Sequence, residues 1–451
     1  MAIVASSFDR IKLELGRYLP KDTIESACRD AGHHWRERKL GPVLTLQLFV
    51  LQILHCNTAI RHLRHLAKMP IKAASYCKAR MRLPLAALQE LLRDSSAAMR
   101  QALAVEAPAS SLWHRHRTFL VDGSSTIVPD TPQLQKVFKQ PKGQKRGCGL
   151  PVPKVLGLFD ACTGLIVEVM AFALYVHEQS KVWLLHPLLK DGDLLVADRG
   201  FCSFVHIALL SARQVWCVFR MHQQQIVNFH PHRRCQRQCK WEDRKGRPTS
   251  LWIKRLAKHD QLVKWIKPKN KPKWMDQKQF DALPADLLMR ELRYAVDVKG
   301  WRSRVVTIAT TLLDPQLYPK EAIAELYGMR WRIETHWGEL KTTLNMRRIK
   351  CKTEAGVRKE LAVYALVHNL VHVAMMQAAL LQKVKVQRIS FVDALRWLSS
   401  AEPGEAIPEL VVNPARANRV EPRVIKNRES PYTKMTKPRS VLRRNLKLGR
   451  S

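Results

Sequence analysis

Apolar residues recur at helical spacing from about residue 8 to 105, in the runs LTLQLFVLQILH, AIRHLRHLAKM and PLAALQELLRDSSAAMRQAL. They predict a helical N-terminal domain over 1–108. Within it, Lys78, Arg80 and Arg82 sit on successive turns before Pro84, which suggests a basic face. Near residue 117 the period changes. Residues 118–121, Thr-Phe-Leu-Val, make a short strand ending in Asp122-Gly123-Ser124. Strands are predicted at 154–159 and 165–173 about a turn at 160–164, then a helix at 180–189. Residues 194–197 form a fourth strand, ending at Asp198-Arg199-Gly200-Phe201. A helix at 205–213 and an extended run at 215–219 complete the first part of an α/β core, 109–221. Residues 222–303 turn polar, basic and rich in tryptophan. The core resumes over 304–350 with a strand at 305–309 and a long helix from Pro319 to about Leu344. A second long apolar helix, 357–381, opens a C-terminal helical region with a basic tail, 351–451.

The 451 residues carry 77 Lys plus Arg against 38 Asp plus Glu, a net charge of +39, with 46% hydrophobic residues. A globular chain with such an excess calls for a polyanionic partner, most simply nucleic acid. The charge is concentrated: residues 213–274 hold 17 basic and 3 acidic residues, and 414–451 hold 12 and 2. The longest apolar stretch, 43–54, is interrupted by Thr45, Gln47 and Gln52 and falls short of the roughly 20 residues that span a bilayer. It predicts a buried helix, and no membrane partner is expected. Ten cysteines without a CxxC pair, and no secretory signal, point to a reducing, cytoplasmic compartment, where a chain this basic is expected to be nucleoid-associated.

Three acids stand where chemistry would want them. Asp122 and Asp198 each follow four apolar residues, so both are expected at strand ends, where Gly123 or Arg199-Gly200 lets the backbone turn away. The third, Glu334, lies on the long helix. At about 100° per residue, Tyr327, Arg330, Glu334 and Lys341 share an arc of about 60° on one face. Glu339 falls about 140° from Glu334 and is excluded on that arithmetic. A carboxylate flanked by Tyr, Arg and Lys suits phosphodiester chemistry. Hard oxygen ligands select Mg²⁺ or Mn²⁺, and two such ions can serve the attacking and leaving oxygens. Arg330 and Tyr327 would grip phosphate oxygens. Lys341, about 10 Å along the axis from Glu334, would reach a neighbouring phosphate.

The spacing Tyr327-x2-Arg330-x3-Glu334-x6-Lys341 resembles, without departure, the signature of bacterial insertion-sequence DDE transposases of the IS-four type. Asp122-Gly123-Ser124 and Asp198-Arg199-Gly200-Phe201 are similar to that family's first and second acidic motifs, and the resemblance extends over roughly residues 30–380. It implies an RNase H-like mixed-sheet core with a β-rich insertion between the second Asp and the Glu. It also implies metal-dependent cleavage and strand transfer at terminal inverted repeats, cut-and-paste through a hairpin. Asp122, Asp198 and Glu334 would be the catalytic, metal-binding acids, with two Mg²⁺ per site and a homodimer on double-stranded DNA. In related proteins a tryptophan of the insertion helps hold a flipped base. Trp216, Trp241, Trp252, Trp265, Trp274 and Trp301 are all candidates here. A transposase-derived DNA-binding protein that no longer cuts is the rival reading.

Other features carry less. The spacing His230-x-His232-x2-Cys235-x3-Cys239 fits no zinc finger and reads as a basic hairpin or loop. His177-Glu178 reads as the start of a helix, outside the site. Arg199 and the cations of the N-terminal helices (Arg61, Arg64, Lys78, Arg80 and Arg82) are the candidate DNA contacts.

Overall fold

The computed structural model describes residues 3–36, 39–106, 112–222, 225, 227–230, 249–296, 305–414, 435 and 437–448. Six helices come first: α1 (Ile3–Tyr18), α2 (Lys21–Asp30), α3 (Pro42–Leu54), α4 (Leu63–Leu66), α5 (Ala73–Arg82) and α6 (Leu85–Glu106). The core follows with β1 (Thr118–Ser125), α7 (Pro132–Phe138), β2 (Lys154–Asp160), β3 (Ile166–Phe172), β4 (Leu194–Ala197), α8 (Phe204–Ser211) and β5 (Trp216–Arg220). The basic region supplies β6 (Thr249–Ala257), β7 (Asp260–Ile266), α9 (Gln277–Asp281) and β8 (Asp286–Ala295). After β9 (Val305–Thr310) come α10 (Lys320–Gly328), α11 (Arg332–Gly338), α12 (Glu354–Leu381), α13 (Phe391–Ser400) and α14 (Arg439–Lys447).

The described strands form one sheet in the order β3-β2-β1-β4-β5-β9-β8-β7-β6. β1 pairs parallel with β4, and β4 with β5, while every other pairing is antiparallel. The order 3-2-1-4-5, with an antiparallel meander leading into parallel strands, is the RNase H-like core. The β-rich region between Asp198 and Glu334 is present and extends this same sheet past β9. A buried bidentate pair, Arg290 with Asp260 at 2.6 and 2.9 Å, ties β8 to β7.

Alternation along the strands divides the core. Leu120, Val155, Val196, Val218 and Ile308 face one apolar cluster, shared with α1, α3, α6 and α10 to α13. Phe119, Val121, Leu195, Ala197, Cys217 and Phe219 face the other, which includes α8, Trp265 and Met289. The N-terminal and C-terminal helices therefore pack together on one side of the sheet. α12 passes between them against β3, α3, α6 and α13. Among the described residues one helix, α12, is apolar and long enough to cross a membrane, and 94% of its most apolar window is buried inside the protein.

Three local expectations are corrected. β1 does not end at Val121; it pairs with β2 as far as Ser125↔Lys154. The helix expected at 180–189 is two 3₁₀ stretches, Glu178–Ser180 and Val182–Leu188, the second containing Pro187, which has no N–H for an α-helical ladder. The long helix of 319–344 is segmented into α10, a 3₁₀ turn Met329–Trp331, α11 and a π-helical turn Glu339–Thr343. The basic tail includes α14, docked through Arg439, whose Nη1 donates to the Gly149 carbonyl at 2.9 Å.

β3 is an edge strand, and α12 completes its ladder locally. The fully buried Asn369 accepts from Ile166 N at 2.7 Å and donates to Ile166 O at 2.8 Å. Asn369→Leu leaves both backbone groups buried and unpaired, so it is expected to destabilise the fold by about 2–4 kcal/mol, read from the shift of a urea unfolding midpoint.

Candidate active site

The parallel register of β1 with β4 ends at Val121↔Ala197. Asp122 and Asp198 are the next residues on the two strands. They lie side by side at one level of the sheet, on strands about 4.8 Å apart. By alternation Asp122 shares the face of Leu120, and Asp198 that of Val196, which is the face covered by α10 and α11. The contacts agree. Tyr327 Oη, from α10, donates to Asp198 Oδ1 at 3.3 Å. Lys341 Nζ, from the π-helical turn, donates to Ser124 Oγ at 3.2 Å on the same face of β1.

Arg330 joins the third acid to the first two. Its guanidinium lies 4.0 Å from Glu334 Oε1, 4.7 Å over the Trp331 ring and 5.7 Å over Tyr327. Burial works against its charge, but Tyr327, Asp198 and Asp122 outweigh burial and raise its pKa. Glu334 itself is exposed, 56% by side chain, while Arg330 and Tyr327 are buried. The helix is interrupted between Tyr327 and Lys341, so a uniform 100° step does not describe it. Tyr327 and Lys341 nonetheless both reach the sheet, and Glu334 stands beside Arg330, between them along the chain. Tyr327 is bonded to Asp198, and Arg330 lies in the field of both aspartates.

Asp122 has its pKa raised to about 6, first by burial and then by Asp198 and Glu178, against the lowering effects of the Gly123 N–H and Arg330. Glu178 is the group the sequence reading set aside as the start of a helix. Its carboxyl occupies the space a Cβ on Gly123 would need, with Cδ at 2.4 Å from that position. Gly123 therefore makes room for Glu178 and does not turn the chain, since β1 runs on through it. Nothing local in the sequence ties Glu178 to Asp122; only folding brings β1 beneath it.

The comparisons with known proteins bear on this geometry. Residues 113–370, from just before β1 into α12, match the family model "Transposase DDE domain". The chain belongs to this transposase family. It is 26% identical over 382 residues to the transposase InsG for insertion sequence element IS4 of Escherichia coli (strain K12), covering 77% of this chain and 78% of that protein. With the Tyr327 to Lys341 spacing, this makes it a DDE transposase of the IS-four type, an enzyme that cuts and joins DNA strands. A piggyBac transposase synaptic complex with hairpin DNA aligns with 86% of this chain and 79% of that one, at 11% identity and a TM-score of 0.41.

The other expected DNA contacts of this transposase fall in different places. Lys78, Arg82, Arg61, Arg64 and Arg199 are exposed. Arg80 is turned inward: it donates to Gln52 Oε1 at 2.8 Å, lies 2.7 Å from Cys351 Sγ and covers the Phe49 ring at 4.2 Å. Its guanidinium ties α5 to the protein interior and is spent there. Trp265 is fully buried with Nε1 donating to Glu291, and Trp274 stacks between Trp183 and His206. Trp216 and Trp252 are half-buried. Trp241, Trp301, His232, Cys235 and Cys239 lie outside the described residues.

The raised Asp122 pKa has a stability consequence. Since it lies above the ordinary 3.8, the folded state favours the protonated form, and that contribution is lost as pH rises from about 4 through about 6. Metal-free protein is expected to lose stability across this window. Asp122→Asn should remove the loss, gaining on the order of 2 kcal/mol at pH 8. Glu178→Gln should move the fall to lower pH. Denaturant melts between pH 4 and 8 check both, and a flat wild-type profile is the contrary result.

Proposed function

We propose that the protein is a cut-and-paste transposase acting on the terminal inverted repeats of its own insertion sequence, with Asp122, Asp198 and Glu334 as its catalytic, metal-binding acids. The observation supporting this reading is the level placement of Asp122 and Asp198 on the sheet face against which the segment carrying Arg330 and Glu334 packs. The donor set is all carboxylate, which suits Mg²⁺, with Mn²⁺ as a substitute and two ions per site. Burial, with Asp198 and Glu178 nearby, raises Asp122, and a bound hard cation offsets that cost to the charged form. Bound there, the ions supply Lewis-acid polarisation of the attacking and leaving oxygens.

The chain's own residues do the positioning. Tyr327 orients Asp198 through its hydroxyl, and Arg330 keeps Glu334 and the aspartates in one field. Lys341 and Ser124 present a cation and a hydroxyl to a DNA phosphate at the edge of the site. Exposed Arg199, Lys78 and Arg82 hold the duplex backbone, where such contacts set position more than sequence. Water hydrolyses one strand at the element end. The freed 3′-OH attacks the opposite strand and closes a hairpin. A second hydrolysis regenerates the 3′-OH, which then attacks target DNA. Each transfer exchanges one phosphodiester for another, so no nucleotide cofactor is consumed. Two element ends must be held together, which calls for a homodimer on DNA.

The test uses linear DNA carrying the gene's own flanking ends. Wild type is expected to cleave in Mg²⁺, while Glu334→Ala binds equally well and cleaves at least about 100-fold more slowly. Specific binding without cleavage by either protein, with Mn²⁺ also tried, would establish a DNA-binding remnant instead. Lys341→Ala should weaken binding of all sequences alike and reduce the salt slope by about one unit.

A further inference from the structure

Glu339, dismissed by helical arithmetic as an active-site acid, has a different setting. The π-helical turn that begins at Glu339 points its carboxylate away from the aspartates and into the core under α12. There Oε2 meets His336 Nδ1 at 3.0 Å, His368 Nε2 at 3.0 Å and His372 Nε2 at 3.1 Å. All four residues are buried, and their ligand atoms lie within 4.8 Å of one another. The spacings are those of a helical clip: His336 and Glu339 are i, i+3 on one segment, and His368 and His372 are i, i+4 on the other.

Hydrogen bonding alone leaves this cluster poorly matched. His372 Nδ1 faces the Thr163 carbonyl at 3.2 Å, so it carries the proton there. In a neutral ring Nε2 is then a bare lone pair, aimed at a carboxylate oxygen that is also an acceptor. A ring N–H held by a backbone carbonyl, with the other nitrogen facing inward, is how metal-bound histidines are oriented. Three imidazoles also converge on a single oxygen that has two lone-pair directions. The walls are closed: the ring of Phe159 stacks on His336, and Phe391 lies within 5.8 Å of His368 and His372. The Gly164 turn, at φ +76°, seals the remaining side. A Cβ there would come within 2.8 Å of both His336 and His372.

We infer that His336, Glu339, His368 and His372 bind a structural divalent metal ion, most suitably Zn²⁺, separate from the Asp122–Asp198–Glu334 site. Three imidazole nitrogens and one carboxylate oxygen make a complete tetrahedral set, with no position left for substrate. Zinc–nitrogen bonds of about 2.0 Å imply ligand–ligand edges of about 3.3 Å; the three N···O separations of 3.0–3.1 Å are close to this, and the imidazole nitrogens draw in from within 4.8 Å of one another as the ion is bound. Such an ion pins the segment carrying Glu334 and Lys341 to α12 and holds the π-helical turn between those two residues in register.

The test uses untagged full-length protein, with metal content measured after gel filtration. Wild type is expected to hold about one Zn²⁺ per chain, and Asp122→Asn to keep it, while His372→Asn falls to about a tenth or less. Chelator-treated wild type given Co²⁺ should show the intense visible absorption of a tetrahedral site, and its melting temperature should rise when Zn²⁺ is restored. Absence of bound metal, with no such Co²⁺ band and no change in melting temperature, would overturn the inference in favour of a charged His372 paired with Glu339. Metal lost in Asp122→Asn but kept in His372→Asn would overturn it too, by placing the ion in the catalytic site. If His372→Asn does not fold, the Co²⁺ spectrum of wild type decides.

Discussion

The four-residue parallel pairing of β1 with β4 is the constraint on which the rest of the site depends. It ends at Val121↔Ala197, and the next residue on each strand is an aspartate. A one-residue slip of either strand would send its aspartate to the opposite face, into the cluster of Phe119 and Phe219. The apolar residues around the pair make that register costly to change: Leu120 and Val196 are fully buried on one side, and Val121 and Ala197 on the other. Two carboxylates are thereby fixed next to each other in a half-buried position. Their mutual repulsion and desolvation are a standing cost that the surrounding hydrophobic packing supports.

The segment carrying Glu334 is placed against this face by a different route. The segment from Tyr327 to Lys341 passes through α, 3₁₀, α and π geometry, and its alignment does not come from helical periodicity alone. It is held from both sides. Toward the sheet, Tyr327 bonds Asp198 and Lys341 bonds Ser124; away from it, Glu339 meets the histidines of α12. α12 is itself buried over most of its length between the N-terminal helices and β3, with Asn369 bonded to the edge strand. The N-terminal helices thus support the segment carrying Glu334 through α12.

Much of the chain was legible in advance. The core strands and α12 show as clear period-2 or continuous apolar runs, and each was located to within a few residues. The acids Asp122, Asp198 and Glu334 stood out because each has a local marker: two follow short apolar strands, and one sits within a signature of fixed spacing. Arg80 shows the limit. Its spacing matches that of Lys78 and Arg82 on a basic stretch, yet Gln52, Phe49 and Cys351 take up its guanidinium. Glu178 shows the same limit in reverse, an unremarkable acid that lies beneath Asp122 because Gly123 has no side chain.

Local pattern was sufficient for strand and helix positions, charge and the acidic motifs, because periodicity and spacing are properties of consecutive residues. It did not reveal that the β-rich region would lengthen the core sheet, or that the helix carrying Glu334 would break into four segments. Nor did it reveal that His336, Glu339, His368 and His372 would converge, since about thirty residues and a change of helix separate the two pairs. Those outcomes depend on contacts between residues far apart in the chain. Which side chains are buried, and which partners they then need, is decided only when the layers pack.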